Sequence, residues 1–344
     1  MVTATELDQP AAAPLEPRPR HIAIFRALQL GDLLCTVPAW RALRAAYPDA
    51  KITLIGLPWA RELAHRYVHY IDDFLEFPGA PGLPERVPDA DEYPSFVHAA
   101  RSLRLDLLIQ MHGSGELTNP LVASWGARRI AGYSRDPAAI TGDDILLPWQ
   151  DGEHEVRRFL RLAAAVGAPS QGEHLEFPIR HAEQRAIARA LEGVAKDYVC
   201  VHPGARYPSR RWPPERFAAV ADALADRGLQ IIVTGGSPER PLAEEVIRRM
   251  RHTAIDFTGR TTLGTFAALV SRARLVVSND TGMSHVAAAV QAPSVVISSG
   301  ADAERWRPLD IARHRTLWHP VPCRPCAHWV CPTEHECARG VTVQ

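Results

Sequence analysis

Apolar residues are grouped in short, uninterrupted runs along most of the chain. The runs that predict strands lie at residues 22–25, 52–56, 106–111, 198–204, 231–236, 275–280 and 294–298. Runs without polar alternation are typical of parallel strands that are buried on both faces. Between them, apolar residues recur at the spacing of one helix face. This spacing predicts helices over 33–46, 152–166, 181–194, 214–227, 239–250 and 282–290.

The alternation of strands and helices predicts an α/β fold with parallel sheets. A chain of 344 residues exceeds the size at which one core usually keeps growing, so we expect two domains. The linker is expected in the polar, proline-containing stretch 168–182. The simplest architecture is two Rossmann-like domains that face each other across a cleft, one over residues 21–172 and the other over residues 173–320. We expect residues 1–20 to be a disordered lead-in and residues 321–344 to form a cysteine-rich tail.

Composition narrows the class of protein. Apolar residues make up 46% of the chain and charged residues 23%, which is the usage of a soluble globular protein. The formal net charge is zero, so nothing favours nucleic acid as a partner. No apolar run approaches the roughly 20 residues of a membrane-spanning helix, and residues 1–20 lack the apolar core of a signal peptide. We therefore expect a cytoplasmic protein whose membrane contact is at most peripheral.

The first candidate for chemistry is Asp32, which follows Gly31 where the first predicted strand gives way to a helix. Ligands of open α/β sheets bind beyond the carboxyl ends of the strands, so this position is favourable for a functional side chain. The residues alone leave two interpretations open. Asp32 either caps the helix by accepting a bond from a free backbone amide, or takes part in catalysis.

Two later loops carry groups suited to an anion. Lys51 and Lys196 are the only lysines in the sequence, so an anion site has to use arginine, backbone amides or helix ends. Arg206, Arg210 and Arg211 follow the predicted strand that ends at Gly204, and form a plausible fork for phosphate oxygens. A solvated basic loop is the alternative interpretation.

The second loop lies within residues 277–293, where a strand runs into a helix of small residues. Its polar residues are Asp280, Thr281, Gly282, Ser284 and His285. Free N–H groups and the positive helix end converge at such a point, so the loop is predicted to bind a phosphate-sized anion. The alternative is an ordinary Asp/Thr cap with the histidine packed on its own sheet. Gly235 lies in a further glycine-rich turn, "VTGGSPER", which lacks the full dinucleotide-binding spacing.

Three segments together resemble glycosyltransferase family 9, the ADP-heptose:lipopolysaccharide heptosyltransferases and their relatives. They read "IAIFRALQLGDLLCTVPAWRALRAAYPDAKITLIG", "HPGARYPSRRWPPERFAAVADAL" and "SNDTGMSHVAAAVQAPSVVISSG". The resemblance covers nearly the whole chain after residue 20 and implies the two-domain GT-B fold. It also implies that the carboxyl-terminal domain holds the nucleotide diphosphate and the amino-terminal domain the acceptor.

The resemblance assigns roles to individual residues. Asp32 matches the catalytic base, and Arg210 stands where many members carry lysine, so a planar fork replaces a compact ammonium group. The residues that match the nucleotide-sugar loop are Asp280, Thr281, Gly282, Met283 and His285. The other predicted donor contacts are Gly31, Arg206, Arg211 and Gly235. The segment 110–120 departs from the family pattern, so acceptor identity is not carried over.

These assignments predict an inverting glycosyltransferase that uses a nucleotide-diphosphate heptose, most simply ADP-heptose. A base takes the proton of the acceptor hydroxyl, while positive groups stabilise the departing diphosphate. No acidic motif would present Mg²⁺ to a diphosphate, so no cofactor is expected for catalysis. The alternatives are a glycosyltransferase of the same fold that uses a different nucleotide sugar as donor, and a protein that binds a sugar nucleotide without turnover. The acceptor is left open among a glycan, a lipid-linked molecule, a protein and a small molecule.

The tail contains four closely spaced cysteines in the pattern C-x2-C-x4-C-x5-C. They are Cys323, Cys326, Cys331 and Cys337. Four thiols at this spacing suit tetrahedral coordination of a structural Zn or Fe ion, although the last spacings are shorter than in the usual pattern. Free thiols or a disulfide are the alternatives.

Overall fold

The computed structural model describes residues 12–88, 91–136 and 142–343. The chain divides into two compact units, Met1–Glu173 and His174–Gln344, referred to below as the first and second units. Each unit contains one six-stranded sheet in which every pair of neighbouring strands is parallel. The predicted α/β class with parallel sheets is confirmed.

The sheet of the first unit has the order β3-β2-β1-β4-β5-β6. Its strands are β1 (His21–Phe25), β2 (Lys51–Gly56), β3 (Asp73–Glu76), β4 (Leu107–Gln110), β5 (Ile130–Ser134) and β6 (Ile145–Pro148). Its helices are α1 (Leu30–Leu34), α2 (Val37–Ala46), α3 (Ala60–Ala64), α4 (Glu92–Ser102), α5 (Thr118–Ala123) and α6 (Glu155–Ala165). This strand order is that of a Rossmann fold, in which the order reverses beside the first strand and creates a binding crevice.

The sheet of the second unit repeats the same arrangement, in the order β12-β11-β10-β7-β8-β9. Its strands are β7 (Tyr198–His202), β8 (Gln230–Val233), β9 (Ala254–Asp256), β10 (Leu275–Asn279), β11 (Ser294–Ile297) and β12 (His314–Leu317). Its helices are α7 (His181–Ala190), α8 (Pro214–Ala225), α9 (Arg240–Arg249), α10 (Leu263–Val270), α11 (Gly282–Ala289), α12 (Ala303–Trp306) and α13 (Glu336–Arg339). The reversal of order falls between β7 and β10.

The apolar runs predicted the inner strands better than the outer ones. All four edge strands, β3, β6, β9 and β12, were missed, as was β5 next to an edge. Edge strands are less buried and therefore carry polar residues, as in "HRTL" of β12. Helix α10 was missed for the opposite reason: "LGTFAALV" is buried almost all round and shows no amphipathic period.

The single helix predicted over 33–46 is two helices in the structure. Helix α1 ends at Leu34, and α2 begins at Val37 after a break at Cys35 and Thr36. Pro38 has no N–H to donate to the carbonyl of Leu34, so a continuous helix would lose a bond at this point. Proline is instead tolerated in the first turn of α2.

The lead-in expected to be disordered is partly packed. Residues 1–11 lie outside the described residues, whereas 12–20 run along the first unit. The Ala12 N–H donates to the Ala164 carbonyl at 3.1 Å, and the Leu15 N–H donates to the Tyr47 hydroxyl at 3.1 Å. These backbone bonds fix a proline-rich segment that has no helix or strand pattern of its own. Among the described helices, none is long and apolar enough to cross a bilayer.

Candidate functional site

Asp32 lies in the first turn of α1, directly beyond the carboxyl end of β1. Its Oδ2 accepts the Gln29 N–H at 3.2 Å, so the capping contact exists. Its Oδ1 lies 3.2 Å from Nη2 of Arg26, and 21% of the Asp32 side chain stays exposed. Gly31 is buried immediately before it. The same carboxylate therefore caps its helix, pairs with an arginine and keeps an accessible surface.

Arg26 was not predicted from the sequence. It follows β1 directly and is only 1% exposed, although it carries a full charge. Its guanidinium contacts Asp32 and also Glu155 of α6, at 3.1 Å. A charged residue placed immediately after a fully buried strand was the available signal, because a buried charge requires partners. Glu155 gave no comparable signal, since an acidic residue in a first helical turn is commonplace.

His112, which follows β4, lies beside this group. Its Nδ1 is 3.2 Å from the Ala27 backbone N and accepts that N–H, and its ring stacks on Phe25 with centroids 5.1 Å apart. Burial, with a smaller contribution from the charge of Arg26, lowers the pKa of His112 to about 3. His112 is therefore a neutral acceptor close to Arg26 at physiological pH.

In the second unit, the predicted anion loop lies at the N-terminal end of α11. The Thr281 hydroxyl accepts the Met283 N–H at 3.2 Å, and the Ser284 hydroxyl donates to the Thr281 carbonyl at 2.7 Å. The capping interpretation is thus correct for Thr281. Gly282, Met283 and Thr281 are all only partly buried, so a ligand can approach this helix end.

Asp280 precedes that helix end and is tied to β11. Its N–H donates to the Ile297 carbonyl at 2.9 Å, and its carboxylate accepts the Ser298 hydroxyl at 3.4 Å. Burial raises the pKa of Asp280, and the charges of His285 and Arg210 oppose that rise. The His285 ring meets Trp306 of α12 edge-on, with centroids 6.3 Å apart.

The three predicted arginines do not form one fork. Arg210 acts electrostatically on Asp280, and its Nη2 donates to the Cys326 carbonyl at 2.8 Å. Arg211 donates from Nε to the Ala205 carbonyl of its own loop at 3.0 Å. Arg206 is exposed, with its guanidinium 5.9 Å from the Tyr207 ring. The structure therefore brings Arg210 to the nucleotide-sugar loop and anchors Arg211 within its own loop, residues 203–212, which is called the arginine loop below.

Asn279, at the end of β10, connects the arginine loop to the end of the strand that precedes α11. Its Oδ1 accepts the Trp212 N–H at 2.9 Å, and its Nδ2 donates to the carbonyls of Pro203 and Gly204 at 2.7 and 3.3 Å. One side chain thus bonds both ends of the loop that carries Arg210. The signal in the sequence was a polar residue closing an apolar strand, where a buried amide has to find partners.

Gly235 lies beyond the end of β8, near a carboxylate that was also missed. Glu239 accepts the Gly236 N–H at 2.7 Å and lies 3.8 Å from Nε2 of His202. A Cβ placed on Gly204 would lie 1.9 Å from Oε1 of Glu239, so a larger residue there would require the Glu239 carboxylate to move. Burial lowers the pKa of His202. Glu239 therefore sits over the ends of two neighbouring strands, with the buried imidazole of His202 beside it.

Comparison with known proteins identifies the family. The sequence pattern of "Glycosyltransferase family 9 (heptosyltransferase)" matches residues 95–336, which is most of the chain. This chain belongs to glycosyltransferase family 9. Lipopolysaccharide heptosyltransferase 3 of Escherichia coli is 27% identical over 291 residues, covering 81% of this chain and 83% of that protein.

Two solved structures are similar in fold. A family 9 glycosyltransferase from Veillonella parvula superposes with a TM-score of 0.73 at 22% identity, covering 87% of this chain and 85% of that one. The E. coli ADP-heptose lps heptosyltransferase II superposes with a TM-score of 0.68 at 20% identity, covering 89% of this chain and 92% of that one. The predicted GT-B fold is confirmed, and the protein is a glycosyltransferase.

The cysteine tail of this glycosyltransferase packs on the arginine loop. Its four cysteines line one small cavity together with His328 and His335. The tail is bonded at both sides: the Ser209 hydroxyl donates to the His328 carbonyl at 2.6 Å, and the Cys326 N–H donates to the Gly300 carbonyl at 2.7 Å. None of the four thiols forms a disulfide bond. In the described part of the chain, no group of three His, Cys, Asp or Glu side chains is arranged so that it could hold a metal ion. A metal here stays a prediction.

Proposed function

We propose that this glycosyltransferase moves a heptose from ADP-heptose to a hydroxyl group of a lipopolysaccharide-type glycan, with inversion at the anomeric carbon. The observation that carries the proposal is the partly exposed N-terminal end of α11, next to Asp280 and within the electrostatic reach of Arg210. A helix end and a guanidinium group suit a diphosphate. The names of the similar E. coli proteins support heptose as the transferred sugar, ADP as the nucleotide and lipopolysaccharide as the acceptor class.

In the proposed reaction, Asp32 accepts the proton of the acceptor hydroxyl as its oxygen attacks the anomeric carbon. The bond between that carbon and the diphosphate oxygen breaks on the opposite face, and ADP leaves with the electron pair. Charge that grows on the diphosphate is stabilised by Arg210 and by the backbone amides at Thr281 and Gly282. The positive groups come from the protein itself, so the proposed step uses no metal ion.

The donor is tested by incubating the protein with a panel of nucleotide sugars and following nucleotide release, with water or a lipopolysaccharide-type glycan as acceptor. We expect ADP release from ADP-heptose to exceed release from the other sugars. Equal or faster release from another nucleotide sugar would transfer the proposal to that donor. Release from none, with tight binding retained, would identify a binding protein without turnover.

The base is tested by Asp32→Asn, which keeps the size of the side chain and removes its basicity. A general base contributes about 10²–10⁴-fold to a rate, so turnover should fall by that order while ADP binding measured by calorimetry is retained. Turnover at the wild-type rate would reject Asp32 as the base.

A further inference from the structure

Asp32 is the outermost member of a chain of alternating charges that runs into the first unit. The order is Asp32, Arg26, Glu155 and Arg158, and the last three are each about 1% exposed. Burying a charge is costly unless it is paired and hydrogen-bonded, and such a pair is rarely the cheapest way to fill a core. Three fully buried charges directly behind a candidate base therefore call for a functional explanation.

The guanidinium of Arg26 is the central group of this chain of charges, because it contacts both carboxylates. One nitrogen, Nη2, is shared between Oδ1 of Asp32 at 3.2 Å and Oε1 of Glu155 at 3.1 Å. The other, Nη1, donates to the Met111 carbonyl, and the Phe159 ring covers the group with its centroid 4.6 Å away. The guanidinium is thus held by a backbone carbonyl, a ring and two carboxylates, and has little freedom to leave Asp32.

Glu155 is held just as firmly on its far side. Its Oε2 bonds Nη1 of Arg158, whose guanidinium lies 3.9 Å from the centroid of the Trp149 ring and donates to the Gln150 carbonyl at 2.8 Å. Arg158 also lies 3.5 Å from Glu153. The carboxylate of Glu155 is therefore a fixed negative charge against Arg26.

We propose that Arg26 and Glu155 are positioning residues for the base: Arg26 orients the Asp32 carboxylate, and Glu155 takes up part of the charge of Arg26 so that Asp32 keeps its affinity for a proton. This inference rests on the proposed role of Asp32. An arginine paired with a single carboxylate can lower the pKa of that carboxylate by about 1–3. A base weakened that much is poorly matched to catalysis near neutral pH, so sharing the guanidinium restores basicity.

Other charged groups face the same cluster. His112, after β4, lies close enough to Arg26 to feel its charge, but it is neutral because its pKa is lowered to about 3. Glu85 lies 3.9 Å from Nε2 of His112. From α6, Glu155 pairs with Arg26, and Arg158 pairs with Glu155. The two residues named in the proposal are thus joined to the Asp32 carboxylate in one chain of ion pairs, Asp32–Arg26 at 3.2 Å and Arg26–Glu155 at 3.1 Å.

The test is the pH dependence of ADP release from ADP-heptose in Glu155→Gln and Arg26→Met. Glu155→Gln leaves the full charge of Arg26 to Asp32, so the midpoint of the acidic limb should fall by about one pH unit and the plateau rate should drop several-fold. Arg26→Met removes the cation, so the midpoint should rise by about one pH unit. Shifts in opposite directions are a signature that a merely structural role would not produce.

Three variants serve as controls. Arg26→Lys keeps the charge and should keep the midpoint close to wild type while lowering the rate, because an ammonium group cannot hold the same geometry. Glu173→Gln removes the exposed partner of Arg157 on the outer side of α6, 2.9 Å away, and should leave the profile unchanged. Turnover of Asp32→Asn should lie about 10²–10⁴-fold below that of the wild type at every pH. Should Arg26→Met fail to fold, as judged by thermal melting, Glu155→Gln and Arg26→Lys carry the test.

The outcomes separate the inference from the proposed function. Turnover at the wild-type rate in Asp32→Asn, or no ADP release from ADP-heptose by the wild type, overturns the proposed function. A strongly reduced turnover in Asp32→Asn together with an unshifted midpoint in Glu155→Gln overturns the inference alone. Midpoints that move in the same direction in Glu155→Gln and Arg26→Met would also overturn it.

Discussion

The side chain of Asn279 accepts the backbone N–H of Trp212 at 2.9 Å, across 67 residues of sequence. The same side chain donates to the carbonyls at the other end of the arginine loop, so both loop ends depend on one buried amide. The loop that carries Arg210 is therefore fixed to the strand that leads into the nucleotide-sugar loop.

Replacing this amide should destabilise the second unit. Asn279→Ala leaves a buried N–H and two carbonyls without their partner, and each unsatisfied group costs about 1–3 kcal/mol. We expect a lower free energy of unfolding in urea and weaker ADP binding. Asn279→Asp keeps the acceptor for Trp212 but cannot donate, and it buries a carboxylate beside the carbonyls of Pro203 and Gly204, so it should also lose stability. Wild-type stability in Asn279→Ala would contradict the assigned bonds.

Arg210 should contribute to diphosphate binding through its charge and shape. Arg210→Ala removes a charge-assisted bond of about 1.5–3 kcal/mol, which corresponds to roughly a 10- to 150-fold weaker ADP affinity by calorimetry. Arg210→Lys should recover part of this affinity, because the charge returns without the planar fork. Arg227→Ala, an exposed arginine just beyond α8, is the matched control. Equal ADP affinity in Arg210→Ala and Arg227→Ala would remove Arg210 from the site.

The pH dependence of stability should include a contribution from His112. Its folded pKa is about 3 and its ordinary value is 6.5, so the unfolded chain binds the extra proton between these pH values. Stability attributable to His112 is therefore complete above pH 6.5 and is lost as the pH falls towards 3, at up to about 1.4 kcal/mol per pH unit.

The matching variant is His112→Gln, which has no proton to bind in this range. Its free energy of unfolding should decline less steeply than that of the wild type between pH 6 and pH 4. His98→Gln, at an exposed position of α4, should follow the wild-type curve. Parallel curves for wild type and His112→Gln would show that His112 is not held neutral.

The cysteine cavity is predicted to hold a structural Zn or Fe ion. Elemental analysis of the purified protein should find one such ion per chain, and Cys323→Ser with Cys331→Ser should lose it and melt at a lower temperature. Cys35→Ser, in the first unit, should keep the metal. Metal-free protein whose four tail thiols all react with a thiol reagent would refute the metal site. Because Cys326 also anchors Arg210 through its carbonyl, metal loss should weaken ADP binding as well.

Much of the architecture was readable from local pattern. The inner strands β1, β4, β7 and β10 are covered on both faces, so each contains an apolar run without polar alternation, which the sequence shows directly. The loops with Asp32 and Thr281 were likewise found because strand ends that run into helix starts are recognisable locally. The family resemblance rested on those same segments.

Tertiary structure decided which polar groups meet. Arg26 and Glu155 are 129 residues apart, and the partners of Asn279 are 67 to 76 residues away. Local periodicity reports only how deeply a residue is buried, whereas the partner of a buried charge or amide is chosen by where the sheet places each strand end. The edge strands also needed the sheet, because half-exposed backbone becomes a strand only when a neighbour pairs with it.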